Sequence, residues 1–344
     1  MATTSIRARI YATSSYDKAK DVDVIFEISN TGNVDVYVLK WNTPLEGLRS
    51  DCLEVIHNRK FVPYDGILVK RGLPTQENYV EVKVGQTVSV KVDVAEGYDL
   101  SKKGTVSIAF NSENLVVIPA TEAVSDAEFT TAVQAKKRRK IDNKPARFKV
   151  DGNTKRKTVG QSYRIGKKKV KIALASDADA TALDPQIVDA ANDAEKNSAI
   201  KAHHDGYTLV VESLGALAND ARYKEWFGAH TPSRLSTVKT NYDKVKKRME
   251  TVRFTYYCHG SACRPGDFAY TTHGNDKIWL CSAFRNAQPT GPDSKAGTIV
   301  HEHTHATSST EDIVYGRNNC RSLARSTPDD AINNADNYEY YSKG

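Results

Sequence analysis

Residues 297–305 read Gly-Thr-Ile-Val-His-Glu-His-Thr-His, and this pattern leaves the chain little freedom. On a helix, His301 and His305 stand one turn apart on one face, with Glu302 beside them. Two imidazole nitrogens at that spacing reach one zinc ion at about 2.0–2.1 Å. A neighbouring carboxylate can then take a proton from water. Apolar Ile299 and Val300 just before the histidines predict a buried helix. A catalytic zinc needs a third protein donor and an open position. Asp312 offers that donor across a Ser/Thr-rich turn. Tyr315 follows, with a phenol that can hydrogen-bond a developing oxyanion. His303 lies inside the motif, but helical spacing points it away from the metal face.

The HExxH pattern with Thr310-Glu311-Asp312-Ile313-Val314-Tyr315-Gly316 resembles the aspzincin metallopeptidases, the deuterolysin family. The family pattern usually begins GTxDxxYG, and here Ser309 replaces the Gly. Trp226-Phe227-Gly228, the Ser233-Arg234-Leu235-Ser236-Thr237-Val238 that follows, and Asn334-Ala-Asp-Asn-Tyr-Glu-Tyr-Tyr341 are similar to further family segments. Tyr341 stands in place of a Phe. The resemblance is strong over 220–341, weaker over 183–219, and has no motif in 1–170. It implies a zincin-type α+β catalytic domain with one catalytic Zn2+ on His301, His305 and Asp312, Glu302 as general base and Tyr315 as oxyanion donor. In the peptidyl-Lys branch, acids of the last segment line a pocket for lysine on the primed side, just after the cut bond. Asp336 and Glu339 hold the matching positions and share a helix face. Trp226 and Phe227 are expected in the core.

The rest of the chain supplies context. Residues 6–12, 22–28, 79–94 and 105–110 alternate apolar and polar side chains between breakers such as Asn30-Thr-Gly-Asn33. Short strands at these intervals indicate an immunoglobulin-like antiparallel sandwich over 1–135. A short helix is expected at 123–135. A helical pattern begins at Leu183, with Pro185 in its first turn, and runs toward Leu217. Its His203 and His204 are expected on the surface. Amphipathic helices follow at 222–227 and 233–245, and strands within 252–281. A last helix starts at Thr327-Pro328. The strands within 252–281 offer an edge along which an extended peptide can lie.

The formal net charge of +7 is misleading. Residues 136–171 hold 16 Lys/Arg and two acids, a local +14, which leaves −7 for the remainder. The basic character therefore belongs to one connector, which argues against a nucleic-acid-binding protein. Such a connector can be a solvated linker or a proteolytic processing region; the family resemblance favours processing, between a prosegment and a catalytic domain at 172–344. An enzyme that cuts before lysine would find substrate there, near Lys167–Lys171, and a linker lysine could fill the specificity pocket beforehand. No apolar run reaches the ~18–20 residues of a membrane span. Met1–Arg9 lacks the apolar core of a signal peptide, so export uses a leader already removed or another route. Of five cysteines, none forms a CxxC, which fits disulfides in a secreted protein. Cys263 and Cys281 flank a hairpin-like stretch and are the first expected pair. Cys258 with Cys320 is the second, and Cys52 is left over.

These readings describe a secreted, monomeric zinc endopeptidase made as a latent proenzyme. It would act on polypeptides as a toxin or a nutrient-acquiring protease, and on its own propeptide in cis. The alternative is a binding or adhesion protein whose sandwich does the work. Intact Glu302 argues against that alternative.

Overall fold

A computed structural model describes residues 3–13, 22–111, 115–122, 129, 145–150 and 181–342. The expected helix at 123–135, apart from Phe129, and the basic clusters at 136–140, 155–157 and 167–171 lie outside them. The chain divides into two compact units. One comprises Met1–Ile67 and Leu73–Val159, the other Leu68–Gly72 and Gly160–Gly344.

The first unit is β-rich. Its strands are β1 (Ile6–Ala12), β2 (Asp23–Asn30), β3 (Val36–Leu39), β4 (Leu53–His57) and β5 (Lys60–Phe61). After β6 (Leu68–Arg71), which belongs to the second unit, come β7 (Tyr79–Val82), β8 (Thr87–Asp93), β9 (Gly104–Phe110), β10 (Val117–Pro119) and β11 (Ala146–Val150). They form three antiparallel sheets ordered β1-β2-β8, β10-β3-β7 and β11-β9-β4-β5. Period-two patterning explains the strands. β2 buries Val24, Phe26 and Ile28 and turns the alternate residues outward. The 79–94 run breaks at Gly85, whose φ of 74° suits glycine. Its two halves pair with different neighbours, β3 and β2. β11 comes from within the basic stretch and pairs with β9.

The second unit holds a five-stranded sheet ordered β12-β13-β15-β14-β6, with β12 (Gln186–Val188), β13 (Thr255–Tyr257), β14 (Asp267–Thr271) and β15 (Lys277–Leu280). β12, β13 and β15 run parallel; β14 is antiparallel to both β15 and β6. Its helices are α1 (Asp193–Ala216), α2 (Ala221–Phe227), α3 (Pro232–Thr251), α4 (Ser282–Asn286), α5 (Lys295–Ser308), α6 (Arg317–Ser326), α7 (Pro328–Ala331) and α8 (Ala335–Tyr341). Trp226 and Phe227 are buried, and Phe227 packs on Tyr338 and Tyr341. Gly206 lets α1 cross α5 closely, because a Cβ there would meet Ile299 at 2.9 Å.

Three expectations need correction. The helix expected from Leu183 starts at Asp193, capped by Asn192, whose Oδ1 accepts the Glu195 amide at 3.0 Å. The β-branched pair Ile187 and Val188 instead lies in a strand beside β13. His203 is fully buried rather than on the surface, with Nδ1 2.6 Å from the Tyr256 hydroxyl. Cys263 and Cys281 form the expected disulfide, but Cys258 and Cys320 are both free and buried. Each is packed in its own surroundings: the Cys258 carbonyl accepts from Arg285, and the Cys320 sulfur lies 3.5 Å from Asn334 Nδ2. Cys52 is also free and buried. Among the described residues, no helix is long and apolar enough to cross a membrane.

Candidate active site

Helix α5 carries the motif. Ser294 caps it by accepting the Gly297 amide at 3.0 Å, and the helix is buried from Ala296 to Ala306. Its C-cap is Ser309, in the left-handed region at φ 56°, ψ 39°. A helix often ends there on glycine, so the residue that departs from the family pattern sits at a glycine-favouring position. The turn brings Asp312 back beneath the histidines. His301 Nε2 and His305 Nε2 are 3.0 Å apart, and Asp312 Oδ1 lies 3.1 and 3.2 Å from them.

This triangle fits a zinc ion. A tetrahedral ion with bonds of about 2.0–2.1 Å holds its donors about 3.3–3.4 Å apart. Both Asp312 oxygens are buried without a hydrogen-bond partner of normal geometry, as expected of atoms meant for a cation. Burial alone would raise the Asp312 carboxyl, but the His305 and His301 rings override it and hold it well below the carboxylate range. The histidines are oriented from behind: His305 Nδ1 donates to the Thr310 carbonyl at 2.6 Å, and His301 Nδ1 lies 2.7 Å from Asp336 Oδ1. Each ring then presents its Nε2 lone pair to the site. His303 stays out of the triangle, with Nε2 2.8 Å from the Tyr256 hydroxyl.

Glu302 is fully buried, and its oxygens lack partners of normal geometry. Burial pushes its carboxyl up to about 8; His301 lowers it, Asp312 raises it, and the Lys70 ammonium and backbone amide lower it. Tyr315 donates its hydroxyl to the Val69 carbonyl at 2.9 Å.

The C-terminal segment does two jobs. Asn334 Oδ1 accepts the Ile313 and Val314 amides at 2.8 and 3.0 Å, while the Glu311 amide donates to the Asn333 carbonyl and the Ala335 amide to that of Glu311. The loop bearing Asp312 and Tyr315 is thereby buckled to the start of α8. Asn337 ties α8 to α2 and α6 by donating to the Trp226 and Cys320 carbonyls. Asp336 also accepts the Gly316 amide at 2.8 Å.

Asp336 and Glu339 also form a cation pocket with Asp293. The Lys70 ammonium lies 2.6 Å from Glu339, 3.2 Å from Asp293 and 3.3 Å from Asp336, and its side chain is fully buried. Burial opposes its charge, but the three acids outweigh it and raise Lys70 well above the ordinary lysine range. Burial pushes Glu339 up to about 7, against the pull of Lys70. Asp293 is fixed by the Tyr340 hydroxyl at 2.9 Å, and its amide donates to Glu339 at 3.1 Å. Gly297 keeps the pocket open, because a Cβ there would meet Glu339 Oε1 at 2.6 Å. The Phe268 and Tyr340 rings flank the ammonium at 5.3 and 5.9 Å.

Asp336 and Glu339 are legible in the sequence, whereas Asp293, Thr310 and Lys70 join the site only in the fold. The lysine in the pocket comes from β6 and not from the linker. Its one sequence signal is the apolar run Gly66-Ile-Leu-Val that ends in Lys70-Arg71. Residues buried in such a strand as charges require acidic partners from elsewhere.

Comparison with known proteins agrees with this constellation. Residues 214–343 match the aspzincin M35 model, described as a lysine-specific metallo-endopeptidase. An extracellular protease of Aeromonas hydrophila is 31% identical over 94% of this chain and 88% of its own length. The chain belongs to the aspzincin family. A peptidyl-Lys metalloendopeptidase of Grifola frondosa is 29% identical over 97% of this chain and 91% of its own length. One from Pleurotus ostreatus is 37% identical over 37% of this chain and 75% of its own length. This aspzincin is therefore a zinc-dependent metalloendopeptidase acting on polypeptides.

Proposed function

We propose that this aspzincin is a secreted endopeptidase that cuts before lysine, is made as a latent proenzyme and processes itself. The observation that carries the reading is the Lys70 ammonium held by three carboxylates, those of Asp336 and Glu339 fully buried, beside the His301, His305 and Asp312 triangle. An ammonium has three N–H donors and meets three acceptors there. A neutral side chain would leave buried charges unpaired. The longer, planar guanidinium of arginine matches this end-on arrangement poorly. The names of the Grifola and Pleurotus relatives support lysine as the preferred residue.

In this reading His301, His305 and Asp312 hold the zinc. Bound there, zinc supplies Lewis acidity that activates water and polarises the scissile carbonyl. Glu302 accepts the proton of the attacking water and delivers it to the leaving amine. Tyr315 donates to the carbonyl oxygen as charge develops on it. The three acids hold the lysine so that the bond before it meets these groups.

The first unit, read as an immunoglobulin-like prosegment over 1–135, and the basic linker at 136–171 account for latency and maturation, with the catalytic domain at 172–344. The alternative of a binding protein is not favoured, because a solvated adhesion accessory has no use for a buried base beside a metal-ligand triangle. Replacing Asp312 with Ala tests the metal assignment. Metal analysis should fall from one zinc per chain to near zero, and a variant that still retains one full equivalent would refute the ligand role.

A further inference from the structure

Strand β6 pairs antiparallel with β14 through Leu68–Thr271, Val69–Tyr270, Lys70–Ala269 and Arg71–Asp267. All four of its residues are buried. One peptide unit within it is held at both of its ends. The Val69 carbonyl accepts the Tyr315 hydroxyl at 2.9 Å. The nitrogen of the same peptide is that of Lys70, the residue paired with Ala269 of β14. The next side chain is the ammonium in the three-acid pocket. A strand added at a sheet edge with one anchored side chain is how an extended peptide is bound. We infer that Val69–Lys70 is itself a scissile bond, held in place for the protein's own active site to cut.

The inference rests on the lysine-directed reading above and adds a specific bond to it. Water adds to the Val69 carbonyl carbon, and the bond to the Lys70 nitrogen breaks. Glu302 carries the water proton to that nitrogen. The products are a Val69 carboxylate and a Lys70 α-amine, with no oxidant or reductant needed. Before the cut, the strand is tethered at both ends and blocks the site as an intramolecular ligand, at an effective concentration on the order of mM. The cut splits the strand between Val69 and Lys70. The strand then loses its tether on one side, and β14 is freed for other substrates. Cutting at 69–70 thus ends the blockade from inside the prosegment, independently of cuts in the basic linker.

The test uses the full chain loaded with zinc, incubated with an unrelated lysine-containing peptide and followed by intact mass and N-terminal sequencing. A fragment beginning at Lys70 should appear with a first-order rate that is independent of protein concentration over a hundredfold range. Glu302→Gln should give no such fragment. Lys70→Met should lose this cut by at least a hundredfold. Hydrogen exchange on Glu302→Gln should show 68–72 protected, a readout independent of activity. If the added peptide is cut before lysine while Val69–Lys70 stays intact, this inference is wrong and the functional reading stands. If neither is cut, the functional reading fails as well.

Discussion

Replacing Glu339 with Gln isolates the charge that binds Lys70 most closely. The ammonium is 2.6 Å from Glu339 and more than half an ångström farther from Asp293 and Asp336. Gln keeps the shape, and its Oε1 can still accept the Asp293 amide. A charge-assisted hydrogen bond is worth roughly 1.5–3 kcal/mol, and breaking a buried ion pair costs about 3–5 kcal/mol. Two carboxylates remain, so a loss of about 2–4 kcal/mol follows for docking of β6. The assay is hydrogen exchange in a Glu302→Gln background, where the strand stays uncut. Exchange over 68–72 should accelerate roughly 30- to 1000-fold, while β1, β2 and β8 keep their protection. Unchanged protection over 68–72 would mean that the backbone ladder with β14, and not the ammonium pocket, holds the strand. The pocket would then lose its claim to specificity.

Other expectations concern the frame. Ser309 holds a left-handed conformation, so Ser309→Gly should stabilise the second unit by about 0.5–1 kcal/mol, measured by urea midpoint; a destabilised variant would contradict the strain argument. The Cys263–Cys281 bridge closes a separation of 18 residues, and its removal by a double Ser replacement should cost about 3 kcal/mol. His203 is buried against Tyr256, and burial, with His204, pushes its ring down to about 4. The unfolded ring titrates near 6.5, so the unfolded chain binds more protons between pH 6.5 and 4. The contribution is therefore complete above pH 6.5 and is lost as pH falls toward 4, by up to about 3 kcal/mol. His203→Gln should flatten this part of the stability profile, and an equally steep profile in the variant would sink the assignment.

Local chemistry made some elements readable and hid others. The α5 helix was legible because its start cap, apolar approach and histidine spacing all lie within 294–305. β2 was legible because one face is buried throughout. β12 was not, since three residues carry no periodicity and its strand character comes from pairing with β13. Lys70-Arg71 reads locally as a solvated pair. It is buried because acids at 293, 336 and 339 converge on it, and such long-range pairing leaves no local pattern. Asp336 was read for specificity alone, and its second task, orienting His301, appears only where α8 meets α5. His203 looked exposed beside His204 because its partner Tyr256 lies 53 residues away.

In the proposed function, a zinc site built on α5 cuts the bond before lysine because three carboxylates await its ammonium. The most direct measurement is mass spectrometry of peptides released from a denatured, unrelated protein, with and without a chelator. Nearly all new N-termini should be lysine, arginine should be rare among them, and the chelator should abolish them. New N-termini without lysine enrichment, or cleavage that persists under chelation, would contradict the proposed function.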